Sequence, residues 1–230
     1  MCGRYSLFTP AEELEERFGA SFPRPVEPRY NCAPGQQLPV VAGDEPDRFS
    51  FKGWGLVPSW ADDSSTSFIN ARAETVREKR SFAEPFESRR CLVPADGFYE
   101  WVEEEGGKQP YRVAYTDDRP FAMAGLWERW TPPTRQTGLA EFGGDDEGEP
   151  ETRETFTVVT TEPNAVVADL HHRMAVVLSP EEESTWLHGD PEEAFQLLDP
   201  APADDWEAYP VSTRVNSPTN DGPELVEAVE

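Results

Sequence analysis

Short apolar runs separated by proline and glycine recur along most of the chain. The 230 residues include 23 prolines and 16 glycines, and the runs between them have the length of strands rather than of regular helices. Many short strands with few helices indicate an α+β domain whose core is an antiparallel sheet or barrel. The predicted strands are 38–41, 48–54, 91–93, 98–102, 111–114, 121–126, 155–159 and 174–178.

Four segments are predicted to be helical. In the first, 10–19, Thr9 would be the N-cap, Pro10 the first helical residue and Gly19 the end of the helix. The others are 71–80, 163–168 and 180–188.

A chain of this length suits one domain with a substantial core. We place that domain at 1–212 and expect a disordered acidic insertion within it at 131–154, where Gly, Asp, Glu and Pro interrupt the strands. Residues 213–230 are expected to form a polar acidic tail.

The formal net charge of −25 comes from 45 acidic residues against 20 basic ones, of which only three are lysines. This balance is typical of proteins from halophiles, because concentrated salt shortens the Debye length and weakens repulsion between carboxylates. We interpret the charge as an adaptation to habitat and not as evidence about the substrate. Counterion release contributes little affinity in high salt, so nucleic-acid binding would depend on stacking, hydrogen bonds and covalent chemistry.

The three cysteines, Cys2, Cys32 and Cys91, have neither the number nor the spacing of a disulfide framework or a zinc site. No apolar run approaches the roughly 20 residues of a membrane-spanning helix, and the amino terminus lacks the pattern of a signal peptide. We therefore expect a soluble, cytoplasmic monomer that needs no metal or cofactor.

Cys2 follows the initiator methionine directly. A small residue at this position normally permits removal of Met1, which would leave Cys2 with an α-amine and a thiol on adjacent carbons. The amine, with an ordinary pKa of about 8, would form an imine with an aldehyde, and the thiol would then close a five-membered thiazolidine ring. The alternative is a chance cysteine or a buried structural thiol.

Six motifs occur in order along the chain. They are MCGRY at 1–5, RYNCAP at 29–34, WGLVPSW at 54–60, NARAET at 70–75, RRCLVPADGFYEW at 89–101 and HHRM at 171–174. Together they resemble the SOS-response-associated peptidase family, and the resemblance covers residues 1 to about 212. It implies one α+β domain with a β-barrel-like core, a thiazolidine link to abasic sites in DNA, and autoproteolytic removal of Met1. The same imine would permit weak lyase activity by β-elimination.

Asn70 and Arg72 lie two positions apart, so their side chains share a face if the segment is extended. An amide can orient an amine, and a guanidinium can bind a phosphate through two hydrogen bonds. The alternative is that Asn70 caps a helix. The resemblance assigns both residues to the site and adds Arg4 as a second phosphate ligand.

Glu100 lies in an aromatic-rich run, where desolvation favours the protonated carboxyl and suits it to proton transfer. The alternative is an exposed glutamate on an alternating strand. The resemblance assigns to Glu100 the proton transfers of imine formation, ring closure and reversal.

An imidazole can transfer a proton near pH 7, and two of the three histidines are adjacent. The family pattern His-x-Arg-Met-Pro matches His171, which by resemblance would assist opening of the abasic sugar, whereas His172 occupies a variable position. Ala175 replaces the proline of that pattern and removes a backbone constraint.

Three further features could contact DNA. Trp54 and Trp60 flank a turn and could stack on unpaired bases, although at least one of them is expected in the core. Segment 71–91 has six basic and four acidic residues, a net +2 in an acidic chain, which indicates a DNA-binding surface; the alternative is a helix face of mixed charge. Thr161 is expected to cap the helix that follows it, or else to donate to a phosphate.

Three hypotheses follow. The first is a DNA-repair enzyme that captures abasic sites in single-stranded DNA and protects them, with Cys2, Asn70, Glu100 and His171 as the catalytic residues. The second is a cysteine peptidase with Cys2 as thiolate and His171 as base, which predicts cleavage of peptides in trans. The third is a non-catalytic DNA-binding module, whose binding would survive the loss of Cys2.

Overall fold

The protein is described by a computed structural model that covers residues 2–133 and 152–229. The acidic insertion predicted at 131–154 lies outside these residues except for its two ends. The strands are β1 (Tyr5–Leu7), β2 (Arg29–Cys32), β3 (Gln37–Ala42), β4 (Phe49–Trp54), β5 (Asn70–Arg72), β6 (Arg90–Ala95), β7 (Gly97–Glu104), β8 (Gly107–Tyr115), β9 (Phe121–Trp130), β10 (Arg153–Thr161), β11 (Met174–Ala175), β12 (Val177–Leu178) and β13 (Trp206–Pro210).

Five of these strands close into a barrel. The neighbours around it are β10, β4, β3, β6 and β9, and β9 pairs again with β10. Strands β5, β11 and β12 extend the same sheet. The predicted α+β class with a barrel-like core is confirmed, although β10 pairs in parallel with both β4 and β5.

The second sheet has the order β13, β8, β7, β1, β2 and is antiparallel throughout. Strand β6 of the barrel leads into β7 of this sheet through a bend at Asp96. The fully buried Asp96 carboxylate accepts hydrogen bonds from Ser6 Oγ at 2.6 Å and from the amides of Phe8 and Thr9 at 2.5 and 2.9 Å. The bend therefore anchors the chain that follows β1 and so helps to place the amino terminus.

Within residues 2–133 and 152–229, five α-helices lie outside the two sheets: α1 (Ala11–Phe18), α2 (Ala83–Ser88), α3 (Ala165–Ala168), α4 (Pro180–His188) and α5 (Pro191–Phe195). Helix α4 has the predicted bounds, because Ser179 and Glu182 form a capping box at its start. In the part of the chain that the structure describes, no helix combines the length and apolarity needed to cross a membrane.

The predicted ends of α1 are half correct. The helix ends at Gly19, whose φ of 61° is in the left-handed region that favours glycine. Thr9 is not the N-cap, because its amide and hydroxyl both donate to Asp96, and Pro10 stands at the cap position without a side-chain hydrogen bond.

The helix predicted at 71–80 is wrong. Asn70–Arg72 forms β5, because it pairs with β10 in the register Val158 to Asn70, and only a 3₁₀ turn follows at Ala73–Thr75. The short helices α2 and α5 were not predicted.

Residues 213–229 do not form a separate tail. They contain two 3₁₀ helices, Thr213–Asn216 and Pro223–Leu225. Val215 and Leu225 are fully buried and pack in a small cluster with Tyr99 of β7. The packed structure therefore extends beyond residue 212. The polar composition of the segment did not indicate this, because only two apolar residues, Val215 and Leu225, anchor it in this cluster.

Candidate active site

Cys2 lies fully buried just before β1. The side-chain amide of Asn70 donates a hydrogen bond to its backbone carbonyl at 2.9 Å. Burial, with a smaller contribution from the Glu100 carboxylate, raises the pKa of the Cys2 thiol to about 12. The sulfur is therefore a neutral thiol near pH 7.

Asn70 is positioned by the parallel pairing of β5 with β10. Its Oδ1 is buried and has no hydrogen-bond partner among the residues that the structure describes. A buried amide oxygen without a donor is costly, and such an atom beside a chain terminus is suited to accept from an ammonium or amine. Arg72 lies two positions further along the same strand and is exposed. The segment is therefore extended, as the expectation that the two side chains share a face assumes.

Glu100 lies on β7 and is only 2% exposed. Its burial raises the pKa of the carboxyl to about 7. The neighbouring amide of Tyr99 donates to the carbonyl of Arg4 at 2.9 Å, which holds the start of β1 against β7. The alternative of an exposed glutamate is wrong, because Glu100 is buried. A carboxyl that is half protonated near pH 7 can both donate and accept a proton.

His171 follows α3 and is partly buried, while His172 is exposed and stacks on it with ring centroids 4.3 Å apart. The amide of Arg173 donates to Nδ1 of His171 at 3.0 Å. Burial lowers the pKa of the imidazole, which is therefore neutral at pH 7. Nδ1 also lies 3.1 Å from the carbonyl oxygen of Arg173, so either tautomer of the ring makes a hydrogen bond with the Arg173 backbone.

Arg173 was given no role from the sequence, although it belongs to the HHRM motif. Its guanidinium donates to Glu74, with Nη2 3.0 Å from Oε2, and to the backbone carbonyl of Thr160. Thr160 lies on β10 opposite Arg72 of β5. The ion pair thus ties the segment that carries His171 to the strands that carry Asn70 and Arg72.

Arg4 follows Cys2 by two positions and is partly buried. Its Nη1 donates to Oδ1 of Asn31 at 2.7 Å and to the carbonyl of Val215 at 2.8 Å. Its guanidinium carbon lies 6.0 Å from the centroid of the Trp101 ring. Asn31 was not predicted as a site residue; its presence in the RYNCAP motif is the only signal that could have found it.

The two tryptophans of the WGLVPSW motif have different environments. Trp54 is 2% exposed, stacks on Phe156 and donates from Nε1 to the carbonyl of Ile69 at 3.0 Å. It belongs to the core and cannot stack on a base. Trp60 is 40% exposed, and the Arg80 guanidinium lies 4.7 Å from its ring centroid.

The basic segment 71–91 divides into two groups. Three arginines serve the fold, through ion pairs or backbone carbonyls: Arg77 with Glu192, Arg89 with Glu84 and Glu128, and Arg90 with the carbonyls of Phe86, Trp186 and Gly189. The other three basic residues, Arg72, Lys79 and Arg80, are exposed. The surface available to DNA is therefore smaller than the composition indicates.

Thr161 ends β10 opposite Met174 and is nearly buried. It does not cap the following helix. The cap of α3 is Asn164, whose side-chain oxygen accepts from the amide of Val167 at 3.0 Å.

The fold and the site define a single-domain α+β protein in which an asparagine and a protonatable glutamate surround a cysteine at the start of the chain. The sequence profile of the family described as SOS response associated peptidase (SRAP) matches residues 1–218. The chain belongs to this family.

Individual relatives are similar to this chain over almost its whole length. The abasic site processing protein YoqW of Bacillus subtilis (strain 168) is 41% identical, over 99% of this chain and 100% of its own. The abasic site processing protein YedK of Escherichia coli (strain K12) is 31% identical over all of both chains. A crystal structure of a protein from Bacteroides thetaiotaomicron matches with a TM-score of 0.83 and 28% identity, and each chain covers 100% of the other.

Proposed function

We propose that this protein captures abasic sites in single-stranded DNA by forming a thiazolidine at Cys2 after Met1 has been removed, and so protects them during the response to DNA damage. Two of its relatives are named abasic site processing proteins. The observation that carries the proposal is the setting of Cys2, where a neutral buried thiol adjoins the unsatisfied oxygen of Asn70 and the raised-pKa carboxyl of Glu100.

The chemistry balances without an oxidant or a reductant. The neutral α-amine of Cys2 attacks the aldehyde carbon of the opened abasic sugar and gives a carbinolamine. Loss of one water, with a proton supplied by an acid, yields the protonated imine, and the thiol then adds across the C=N bond, with sulfur joining carbon and the thiol proton returning to the conjugate base of that acid. The product is a five-membered ring, and one water is released overall.

Each neighbouring group has a role that suits its protonation state. The neutral imidazole of His171 accepts the proton of the sugar's C1′ hydroxyl as the ring C–O bond breaks, and the imidazolium so formed passes that proton to the ring oxygen. Protonated Glu100 donates to the departing hydroxide, and the resulting carboxylate accepts the thiol proton during ring closure. The Oδ1 of Asn70 accepts from the amine and orients it.

The thiol's high pKa disfavours the peptidase alternative. A cysteine peptidase depends on a thiolate, which is stabilised by a lowered pKa. With a pKa of about 12, the Cys2 thiol is almost entirely un-ionised at pH 7. An amine-first mechanism does not need that thiolate. Removal of Met1 by the protein itself remains compatible with this proposal as a single event, and the imine would also permit slow strand cleavage by β-elimination.

Binding to DNA would depend on a few groups, because the chain carries a net charge of −25. In this proposal Arg4 and Arg72 hold phosphates that flank the captured sugar. Trp60, with Arg80 against its ring, offers an exposed face on which an unpaired base can stack. Specificity comes from the aldehyde, which intact DNA lacks.

The test is a denaturing gel of the purified protein incubated with an abasic oligonucleotide. We expect a shifted band that resists denaturation, and its loss in Cys2→Ala and in a variant with an uncleavable residue ahead of Cys2. Cys91→Ala is the matched control, because Cys91 is equally buried and its thiol pKa is also raised to about 12. A band that persists with the blocked amino terminus would refute the amine-first mechanism.

A further inference from the structure

Residues 212–221, here called the C-terminal strap, are fastened to β2 by one buried amide. Asn31 is fully buried, and its Nδ2 donates to three strap carbonyls: those of Val215 at 3.2 Å, Ser217 at 3.0 Å and Asn220 at 2.7 Å. One asparagine thus binds three carbonyls of a segment whose regular structure is the 3₁₀ helix at Thr213–Asn216, with one of its two amide protons shared between two of them.

A second fastening comes from the strap itself. The carboxylate of Asp221 accepts from the amides of Tyr30 and Asn31 at 2.6 and 3.1 Å, and from Nε of Arg29 at 2.5 Å. Asp221 touches the strand β2 and does not contact Arg4. Its removal therefore loosens the strap without deleting a group near Cys2.

The strap and Asn31 accept hydrogen bonds from the same side chain of the candidate active site, that of Arg4. Nη1 of Arg4 donates both to Oδ1 of Asn31 and to the carbonyl of Val215. Because the guanidinium is a rigid planar fork, fixing one of its nitrogens fixes the direction of its other N–H groups. Arg4 is two residues from Cys2, so its orientation decides where a phosphate beside the captured sugar can be held.

We propose that the C-terminal strap is a positioning element for DNA binding, which holds Arg4 so that its Nη2 meets a phosphate next to the abasic site. The inference rests on the proposed function. Asn31 and Asp221 are then positioning residues that act through Arg4 and take no part in the chemistry at Cys2.

Removal of the Asp221 carboxylate should change DNA binding in opposite directions, depending on whether net charge or the position of Arg4 controls it. In a chain of net charge −25, removing one carboxylate reduces repulsion and should strengthen DNA binding if charge alone matters. Loosening the strap should weaken DNA binding instead, because Arg4 regains rotational freedom. The sign of the change therefore distinguishes the two explanations.

The experiment measures single-turnover cross-linking against the concentration of an abasic oligonucleotide, which gives a half-saturating concentration and a maximal rate. For Asp221→Ala we expect the half-saturating concentration to rise by about three- to tenfold, the effect of one hydrogen-bonded contact, with an unchanged maximal rate. Asp205→Ala is the matched control, because it removes one carboxylate from a surface ion pair with Arg119. We expect it to leave the half-saturating concentration unchanged or lower it.

A double-mutant cycle then tests whether the strap acts through Arg4. In the Arg4→Ala background, Asp221→Ala should produce no further rise. The proposal is overturned by an equal rise in both backgrounds, by no rise in the first, or by a parallel fall in the maximal rate. If the unaltered protein forms no cross-link, the proposed function fails instead, and the same cycle measured by binding of intact single-stranded DNA still tests the strap.

Discussion

The rate of capture should depend on pH in a way that burial of Glu100 dictates. Imine formation needs the neutral amine of Cys2, whose fraction rises as the pH passes about 8. It also needs protonated Glu100, whose fraction falls as the pH passes about 7. The product of the two fractions is greatest between these values, near pH 7.5. It falls about twentyfold at two pH units to either side, as two single ionisations require.

The assay is single-turnover cross-linking at saturating abasic oligonucleotide between pH 5.5 and 9.5. In Glu100→Gln the maximal rate should fall by about a hundredfold or more, the usual contribution of a positioned acid. Its alkaline limb should disappear, so that the remaining rate rises with pH and levels off above the pKa of the amine. An alkaline limb that is the same in Glu100→Gln would refute the assignment of that limb to Glu100.

Four other substitutions have separable outcomes. Asn70→Ala should lower the maximal rate by about tenfold or more with little change in half-saturation, because a hydrogen bond to the reacting amine is lost; a change confined to half-saturation would contradict this. Trp60→Ala should weaken DNA binding by about 1–3 kcal/mol and leave urea stability unchanged, whereas Trp54→Ala should lower the free energy of unfolding by about 3–5 kcal/mol. Asp96→Ala should lower the free energy of unfolding by about 3–5 kcal/mol in urea titrations, because it leaves the hydroxyl of Ser6 and the amides of Phe8 and Thr9 without their acceptor; a change below about 1 kcal/mol would show that the bend does not depend on this carboxylate.

The elements that sequence reasoning identified correctly have local signals. Helix α4 is fixed by a serine, a proline and a glutamate in its first turn. Most barrel strands are apolar runs bounded by glycine or proline, and burial of Glu100 follows from its aromatic neighbours. Cys2 was identified by its position in the chain, and burial of its thiol required the structure.

The elements that were missed depend on partners distant in sequence. Strand β5 exists because it pairs with β10, nearly 90 residues away, and its polar sequence alone resembled a helix start. The position of Thr9 before Pro10 predicts a helix cap, but its amide and hydroxyl donate instead to Asp96, which is distant in sequence. The polar composition of the C-terminal strap predicts a tail. Three of its carbonyls are instead bound by one buried amide, that of Asn31, which no local pattern reveals.

The central claim is that the amine and the thiol of Cys2 act together on one aldehyde. The most direct measurement is the intact mass of the protein–oligonucleotide adduct, denatured and then treated with a thiol-alkylating reagent. We expect a chain without Met1, joined to the oligonucleotide with loss of one water, that carries alkyl groups on two of its three cysteines, Cys32 and Cys91. An adduct that retains Met1, or that is alkylated at all three cysteines, would contradict the central claim.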